Sequence, residues 1–579
     1  MNGYLIHMKF RYSTAVLLIL LAANGFASEL PNELPNLGDV SQATITPHQE
    51  RELGLQIMSE IRADPSYIDD AEVAGYLTNL GTRLIINSNE AHPDQEFEFF
   101  ALRDSTINAF ALPGGFMGFN SGLILTAQSE SELAGVMAHE IAHVTQKHLA
   151  RMISGQKYSM LTSLVAAAVA ILASRTNPQA GQAILVGSQA QQIQSQLDFT
   201  RDHEKEADRI GLSILMSAGL DPHGMPAFFE RLQIAGRFHE NGAPSYLRTH
   251  PITYERIADI ENRIHDVPYR QIPDSLDFQL VRAKLRASLE SPREAVEHFE
   301  AVLRDKRYRN ESVERYGLIN ALLRDGKYVR ADQELMRLYE DFQADADEAL
   351  ENRQVDSTSR ITHKTPLPSA MIEALAARAR LAMGQPAEVL DIYKTGPRTS
   401  SRRRALKYSS AGADGTVENH HLGATIQITR KTPRPSAMVE TLAARVKLAL
   451  GESAEALDIY RAALRMYPQH RALIYDYASA LLRINNVDEA IKFVDQQLQF
   501  TPNDTRLYQL QAQSYGALGD MMMQHRAQAE IYTRQGKVHA AIEQLQIALR
   551  DDKGDFYEKS STEARLKELR ALAEDKKEN

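Results

Sequence analysis

Apolar residues recur at every third or fourth position through most of the 579-residue chain, and one stretch breaks that rhythm. From about Pro47 to Ile61, Leu53, Leu55, Ile57 and Met58 fall at helical spacing, and from Asp70 to Ile86 Val73, Tyr76, Leu77, Leu80 and Leu84 form a stripe. Both patterns predict helices with one buried face. Between Glu96 and Ala127 the character changes. Phe97, Phe99, Phe100, Ala101 and Leu102 lead to Phe110-Ala-Leu, then Pro113-Gly114-Gly115, Phe116 and Leu123-Ile-Leu. Dense aromatic and aliphatic runs around Pro-Gly-Gly predict short strands with a tight turn. This small sheet is either a core hairpin or offers an edge strand on which an extended peptide adds by main-chain hydrogen bonds. The helical period resumes at Leu133, Val136, Met137, Ile141 and Val144.

From about Leu276 onward the pattern is helical throughout. Gly451, Asn485 and Gly519 follow one another at 34-residue intervals, and the pairs Ala456/Ala490 and Pro468/Pro502 keep the same interval. A helix-turn-helix unit of this period is the signature of tetratricopeptide repeats, whose stacked pairs form a curved solenoid. The concave face of such a solenoid binds peptides or protein elements, or the array serves as a spacer. Gly536 falls half a period after Gly519 and predicts a repeat that lacks a helix. Residues 363–393 recur as 430–460 with similar sequence, which reads as a duplicated segment, and 395–429 lacks the repeat pattern and reads as a disordered insert.

The candidate chemistry lies on the helix that follows the strands. His139 and His143 are four residues apart, so on a helix both imidazoles lie on one face and can address a single ion, with Glu140 beside it. A zinc hydrolase needs a third protein ligand, and the second acidic helix, Asp202-His203-Glu204-Lys205-Glu206-Ala207-Asp208, offers Glu204. Asp208, one turn further on, can accept the second ring N–H of a ligand histidine. Glu206 points elsewhere on that helix, and His203 competes as a ligand only if the helix is rotated. His148, five residues past His143, falls on a different helical face and is not assigned as a ligand.

His139-Glu140-Ile-Ala-His143 followed by Glu204-Lys-Glu-Ala-Asp208 resembles the HExxH and ExxAD pair of the M48 family of zinc metalloproteases. Asn108-Ala-Phe-Ala-Leu-Pro-Gly-Gly115 and Thr249-His250-Pro251 with Arg256-Ile257 are similar to that family too. The resemblance covers roughly 45–265. It implies His139, His143 and Glu204 as ligands of one Zn2+ per chain, Glu140 as the catalytic base and Asp208 as the carboxylate behind a ligand. His250 remains open between three roles: a donor to the oxyanion, an occupant of the ion's fourth position, and a loop residue that caps a helix start before Pro251. The fold expected is mainly α, an α+β zincin-type metalloprotease domain at 47–270 with a small sheet, followed by an all-α tetratricopeptide-repeat solenoid at 276–579. Each part is expected to have its own core.

Composition changes this picture little, since 43% hydrophobic and 24% charged residues are ordinary for a globular chain. The net charge of −10 comes without a basic block, so no nucleic-acid partner is expected. The N-terminus matters more. Lys9 and Arg11, the apolar run Ala15 to Ala23 and Gly25-Phe-Ala27 have the form of a cleavable signal peptide at 1–27, with an uncleaved anchor as the rival reading and Met8 as an alternative start. A polar, proline-containing lead-in occupies 28–46. The absence of cysteine rules out disulfides and a cysteine lipid anchor.

The all-apolar run 160–173 is short for a bilayer span and predicts a buried helix or one in peripheral contact with a membrane, and 181–197, rich in Gln and Ser, reads as mobile. Export signal, protease-like region and repeats together resemble periplasmic M48 proteases of Gram-negative bacteria. That resemblance implies a periplasmic location and, as partners, outer-membrane β-barrel substrates and the outer-membrane assembly machinery. The competing class is a chaperone-like repeat scaffold with secondary or no peptidase activity, for which a complete ligand set has no use.

Overall fold

The computed structural model describes residues 46–88, 95–153, 201–237, 245–269, 272–342, 436–551 and 554–578. The signal and lead-in, the apolar run 160–173, the 181–197 stretch, the first copy of the duplication and the 395–429 insert lie outside the described residues.

Helix α1 (Pro47–Ala63) starts at a capping box in which Thr46 Oγ1 accepts from Gln49 N and Gln49 Oε1 accepts from Thr46 N. The pair satisfies two amides that the chain entering a helix leaves without partners. Helix α2 (Ala71–Ile86) is capped by Asp70 and buries Val73, Tyr76, Leu77, Leu80 and Leu84, the stripe expected from sequence. Strands β1 (Glu98–Leu102), β2 (Ala109–Leu112) and β3 (Phe116–Asn120) form a mixed sheet in the order β1-β3-β2. β1 runs parallel and β2 antiparallel to β3. The outer edge of β1 is covered by Ser66 to Ile68, with Ile68 N donating to Ala101 O at 3.0 Å. Among the described residues the far edge of β2 pairs with no other strand.

Leu123-Ile-Leu, expected as strand, lies on a short helix, α3 (Ser121–Thr126). The run is almost wholly buried, and a brief apolar stretch carries no period that separates strand from helix. Helix α4 (Glu130–Thr145) follows and is buried from Glu130 through His143, which makes it the centre of the N-terminal part. The sheet and α2 pack on it, as do α6 (Arg201–Ser217) and α7 (Gly224–Arg237). Three short helices complete this part: α5 (His148–Ile153), α8 (Ser245–Thr249) and α9 (Tyr254–Ile264).

The helical pairs begin with α10 (Leu276–Leu289), α11 (Pro292–Arg304), α12 (Glu311–Arg324) and α13 (328–342). They continue with α14 (Ala437–Leu450), α15 (Ser453–Met466), α16 (Arg471–Arg483), α17 (Val487–Phe500), α18 (Thr505–Leu518) and α19 (Met521–Arg534). Gly451, Asn485 and Gly519 each have left-handed φ, 84°, 62° and 78°, and each ends the first helix of a pair. Their 34-residue spacing is therefore a spacing of helix stops, at positions glycine takes without strain and asparagine tolerates. Gly536 does not mark a missing helix. It turns the chain directly from α19 into α20 (Val538–Ala548), and α21 (Phe556–Glu578) follows. The half-period arises because this glycine sits at the junction between pairs, where proline-containing turns sit earlier in the array.

The separate cores expected for the two parts are joined where the parts meet: the first repeats share a cluster with the N-terminal part, while the later repeats have clusters of their own. A single cluster of buried side chains extends from Leu77 through Leu133 and Phe228 to Phe278, Tyr316 and Leu442. Helix α10 packs on α2 and α3, and α16 also reaches α2. Polar contacts follow the same route: Lys284 Nζ meets Asp70 Oδ2 at 2.6 Å and also contacts Glu72, and Arg445 Nη1 donates to Glu72 Oε2 at 3.2 Å. Among the described residues no helix is long and apolar enough to cross a membrane.

Candidate metal centre and active site

Helices α4 and α6 hold the candidate residues against each other. Ser129 caps α4 by accepting from Glu132 N, and Glu130 and Glu132 place negative charge in its first turn, where the helix dipole favours it. The helices approach closely at Gly211, where an added Cβ would sit 3.0 Å from both Cα and N of His139. Only glycine leaves room for this approach, so the two helices can bring their side chains to one point.

That point is defined by His139, His143, Glu204 and His250, each at most 2% exposed, with one donor atom apiece lying within 4.8 Å of the others. His139 Nε2 is 3.0 Å from His143 Nε2 and 3.4 Å from His250 Nδ1. Glu204 lies 3.4 Å from each of the α4 histidines, through Oε2 to His139 Nε2 and through Oε1 to His143 Nε2, and its Oε1 is 3.0 Å from His250 Nδ1. Bonds of 2.0–2.1 Å from a tetrahedral zinc to nitrogen and oxygen imply ligand atoms about 3.3 Å apart. The observed edges scatter around that length, and three imidazoles with one carboxylate are ligand types that zinc takes, so the residues fit the ion.

Glu140 stands beside this cluster. Its carboxylate is fully buried and accepts no hydrogen bond within reach, and its closest basic contact is His250 Nε2 at 3.6 Å. Burial pushes its pKa up, against the nearby histidines. Burial also works on Glu204, but the charge of His250 and hydrogen bonds from His139, His143 and His250 outweigh it and hold the carboxyl well below its usual range. The α4 rings differ: burial drives His143 well down, whereas in His139 burial is outweighed by Asp208 and Glu204 and the pKa is pushed up to about 9.

Asp208 Oδ1 lies 3.0 Å from His139 Nδ1, an ion-pair distance at which the ring N–H does not point straight at the oxygen. Asp208 is itself gripped by Arg256, whose Nε and Nη2 donate to its two oxygens at 2.7 and 2.8 Å. The same guanidinium donates to Pro251 O at 2.8 Å and pairs with Glu204 Oε2 at 2.7 Å. Burial opposes the Asp208 charge, but Arg256 and His139 keep its pKa lowered. Arg256 thus ties the His250 loop to α6. The helix start after Pro251 is capped by Thr253, not by His250, whose ring stacks on Tyr246 with centroids 4.8 Å apart.

His148 lies outside the ligand cluster but does not face away. A continuous helix would carry it off the His143 face; instead α4 ends at Thr145, and Lys147, at φ 53°, turns the chain back before α5 begins. His148, fully buried, sets Nδ1 2.8 Å from His143 Nδ1, and its Nε2 is 3.0 Å from Glu206 Oε2. Glu206 points away from the ion position, as its helical offset implies, and accepts from Arg151 Nη1 at 3.0 Å. His203 stacks on the His148 ring at 4.4 Å. Burial pushes the His148 pKa down to about 4, so the ring is neutral near pH 7. Sequence reasoning gave no role to Arg256, Tyr246, Arg151 or His148. Only the recurrence of histidine at 148 and arginine at 256 near the motifs could have prompted one.

The profile of Peptidase family M48 matches residues 71–264, and a tetratricopeptide-repeat profile matches residues 447–514. The beta-barrel assembly-enhancing protease of Escherichia coli strain K12 is 32% identical over 392 residues, which are 65% of this chain and 79% of that one. A Vibrio cholerae protein that carries the same name provisionally is 41% identical over 283 residues, 48% of this chain and 58% of the relative, so that match spans little more than half of the relative's length. The mitochondrial metalloendopeptidase OMA1 of Schizosaccharomyces pombe is 31% identical over 209 residues, 36% of this chain and 57% of that one.

Proposed function

Because the chain belongs to the M48 peptidase family, together with the beta-barrel assembly-enhancing proteases it resembles along most of their length, we propose that it is a periplasmic zinc endopeptidase that degrades misfolded or stalled outer-membrane proteins and supports their assembly. The observation that carries this reading is the buried four-donor cluster with Glu140, free of hydrogen bonds, at its side. His139, His143 and Glu204 hold the ion in this reading, and His250 is the fourth donor. When bound, zinc supplies Lewis acidity that polarises a peptide carbonyl and lets water attack at neutral pH. Glu140 takes the proton of the attacking water and passes it to the leaving amine, a task suited to a carboxylate whose affinity for a proton is raised by burial. Asp208, fixed by Arg256, holds the His139 ring. The unpaired edge of β2 suits an extended segment of an unfolded substrate, bound through its main chain regardless of sequence. The repeats recruit large protein partners in this reading, and export rests on the signal-like N-terminus.

Metal analysis and casein digestion on the parent and Glu140→Gln test it. The parent is expected to hold one zinc per chain, and the variant to keep that zinc while losing cleavage by roughly a hundredfold or more. A parent without zinc, or a variant that cleaves as fast as the parent, overturns the reading. Assembly support that survives in Glu140→Gln assigns that part of the function to the repeats as a scaffold.

A further inference from the structure

A ligand histidine bound through one ring nitrogen must carry its proton on the other, and something must receive that proton in a hydrogen bond if the ring is to keep its orientation. Beside His139 Nδ1 the group in that position is the Asp208 carboxylate, 3.0 Å away. For His143 no carboxylate of the described residues stands in that position. Its Nδ1 meets another imidazole, His148 Nδ1, at 2.8 Å, and the far nitrogen of that ring meets Glu206 Oε2 at 3.0 Å.

These two contacts fix one proton arrangement. Glu206, held by Arg151 Nη1 at 3.0 Å, is the acceptor, and His148 Nε2 donates to it at 3.0 Å. The other nitrogen of that ring, Nδ1, lies 2.8 Å from His143 Nδ1 and accepts from it. The only lone pair left on His143 is Nε2, the atom that faces His139, Glu204 and the ion position. We infer that His148 is a positioning residue for the metal centre, relaying the hydrogen-bond demand of Glu206 to His143 and holding His143 Nε2 toward the ion. The inference rests on the proposed zinc assignment and adds to it a tautomer relay that leads to the surface.

The arrangement has a physical reason. Three buried carboxylates, Glu140, Glu204 and Asp208, already surround the centre. A fourth next to His143 would add repulsion and desolvation cost, whereas a neutral ring transmits the same polarity to a carboxylate that stays partly in water. Glu206 and Arg151 have 30% and 36% of their side-chain surface exposed. The left-handed turn at Lys147 and the stacked ring of His203 hold the relay in place.

The test compares His148→Phe, which keeps a planar ring but no polar atom, with His148→Gln, whose amide oxygen accepts and whose amide N–H donates. Zinc affinity is read by chelator competition on the full chain, with the absorption spectrum of the cobalt-substituted protein as a second signature. His148→Phe is expected to bind zinc about tenfold to a hundredfold more weakly and to shift the cobalt spectrum, while His148→Gln stays within about threefold of the parent. A folded His148→Phe that loses less than about tenfold, or a His148→Gln that loses as much as the phenylalanine variant, overturns the relay. If His148→Phe does not fold, Glu206→Ala decides: a loss of about threefold or more supports the relay, and a smaller change overturns it. A parent that binds no zinc fails the metal assignment itself, whereas a parent that binds zinc beside indifferent variants fails only the relay.

Discussion

Arg445 Nη1 donates to Glu72 Oε2 at 3.2 Å across a sequence separation of 373 residues. The Glu72 side chain is wholly buried, Lys284 also contacts it, and Arg445 Nε donates to Asp476 Oδ2 at 2.6 Å. Four elements meet in these contacts: α2 of the protease region, α10, and helices α14 and α16 of the repeats. A charge cluster of this kind costs more to half-break than it contributes when intact, because the partner left behind has lost its solvent. It therefore fixes which surface of the repeats faces the protease.

Replacing Arg445 with Met should lower unfolding stability by about 2–3 kcal/mol, somewhat less than the roughly 3–5 kcal/mol for breaking a fully buried pair, since Arg445 keeps some exposure. Urea unfolding of Arg445→Met, Glu72→Gln and the double variant reads the coupling. The double variant should be more stable than the sum of the single losses implies, and strict additivity rejects the pairing.

The same cluster makes acid stability depend on Asp70. Its carboxylate caps α2 by accepting from Glu72 N and Val73 N, and its other oxygen meets Lys284. Burial opposes the charge, but Lys284 outweighs burial and the folded pKa falls below the ordinary value. A depressed folded pKa means stabilisation that is complete above the unfolded value of about 3.9 and is lost as pH falls through the lower folded one. Asp70→Asn keeps a good cap and removes the charge. It should lower the melting temperature at pH 7 and flatten its fall below about pH 4, and an unchanged slope counts against the assignment.

The helices and their faces were legible because periodicity is local: the stripe of α2, the burial of α4 and the 34-residue recurrence of helix stops all follow from spacing. Pairing His139 with His143, and Glu204 with Asp208, required only i to i+4 reasoning within each helix, whereas the meeting of the two helices followed from the need for a third ligand and from the resemblance to the M48 family. What stayed hidden depended on a departure from a helix or on distance along the chain. His148 meets His143 because Lys147 interrupts the helix, a break that no glycine or proline announces. Arg256 reaches Asp208 from another element 48 residues later, and the cluster that the protease region shares with the first repeats follows from packing that periodicity cannot report.

Gly211 carries a prediction of its own. In Gly211→Ala the new methyl group meets the backbone of His139 at 3.0 Å, so α4 and α6 must separate by a few tenths of an ångström. Overpacking of this kind costs about 1–3 kcal/mol. The same shift displaces His139 from Glu204, so thermal stability and zinc affinity should fall together. A variant that loses stability while holding zinc as tightly as the parent shows that the separation is absorbed away from the site.

His250 decides whether the enzyme rests in a working state. Its Nδ1 lies 3.0 Å from Glu204 Oε1 and 3.4 Å from His139 Nε2, the separations of a fourth vertex around a shared ion. Catalytic zinc sites leave a position open, whereas a set of four protein donors is closed. These distances favour occupation of the fourth position over donation to an oxyanion, and the loop that carries His250 must then move before a peptide carbonyl can enter. His250→Ala is expected to raise casein cleavage with zinc still bound, and a fivefold increase corresponds to a closed state populated at about 80% in the parent. A donor to the oxyanion predicts the opposite, a loss of roughly a hundredfold with zinc retained. Measuring zinc content and cleavage rate of the same preparation separates the two, and unchanged values for both remove His250 from the active site altogether.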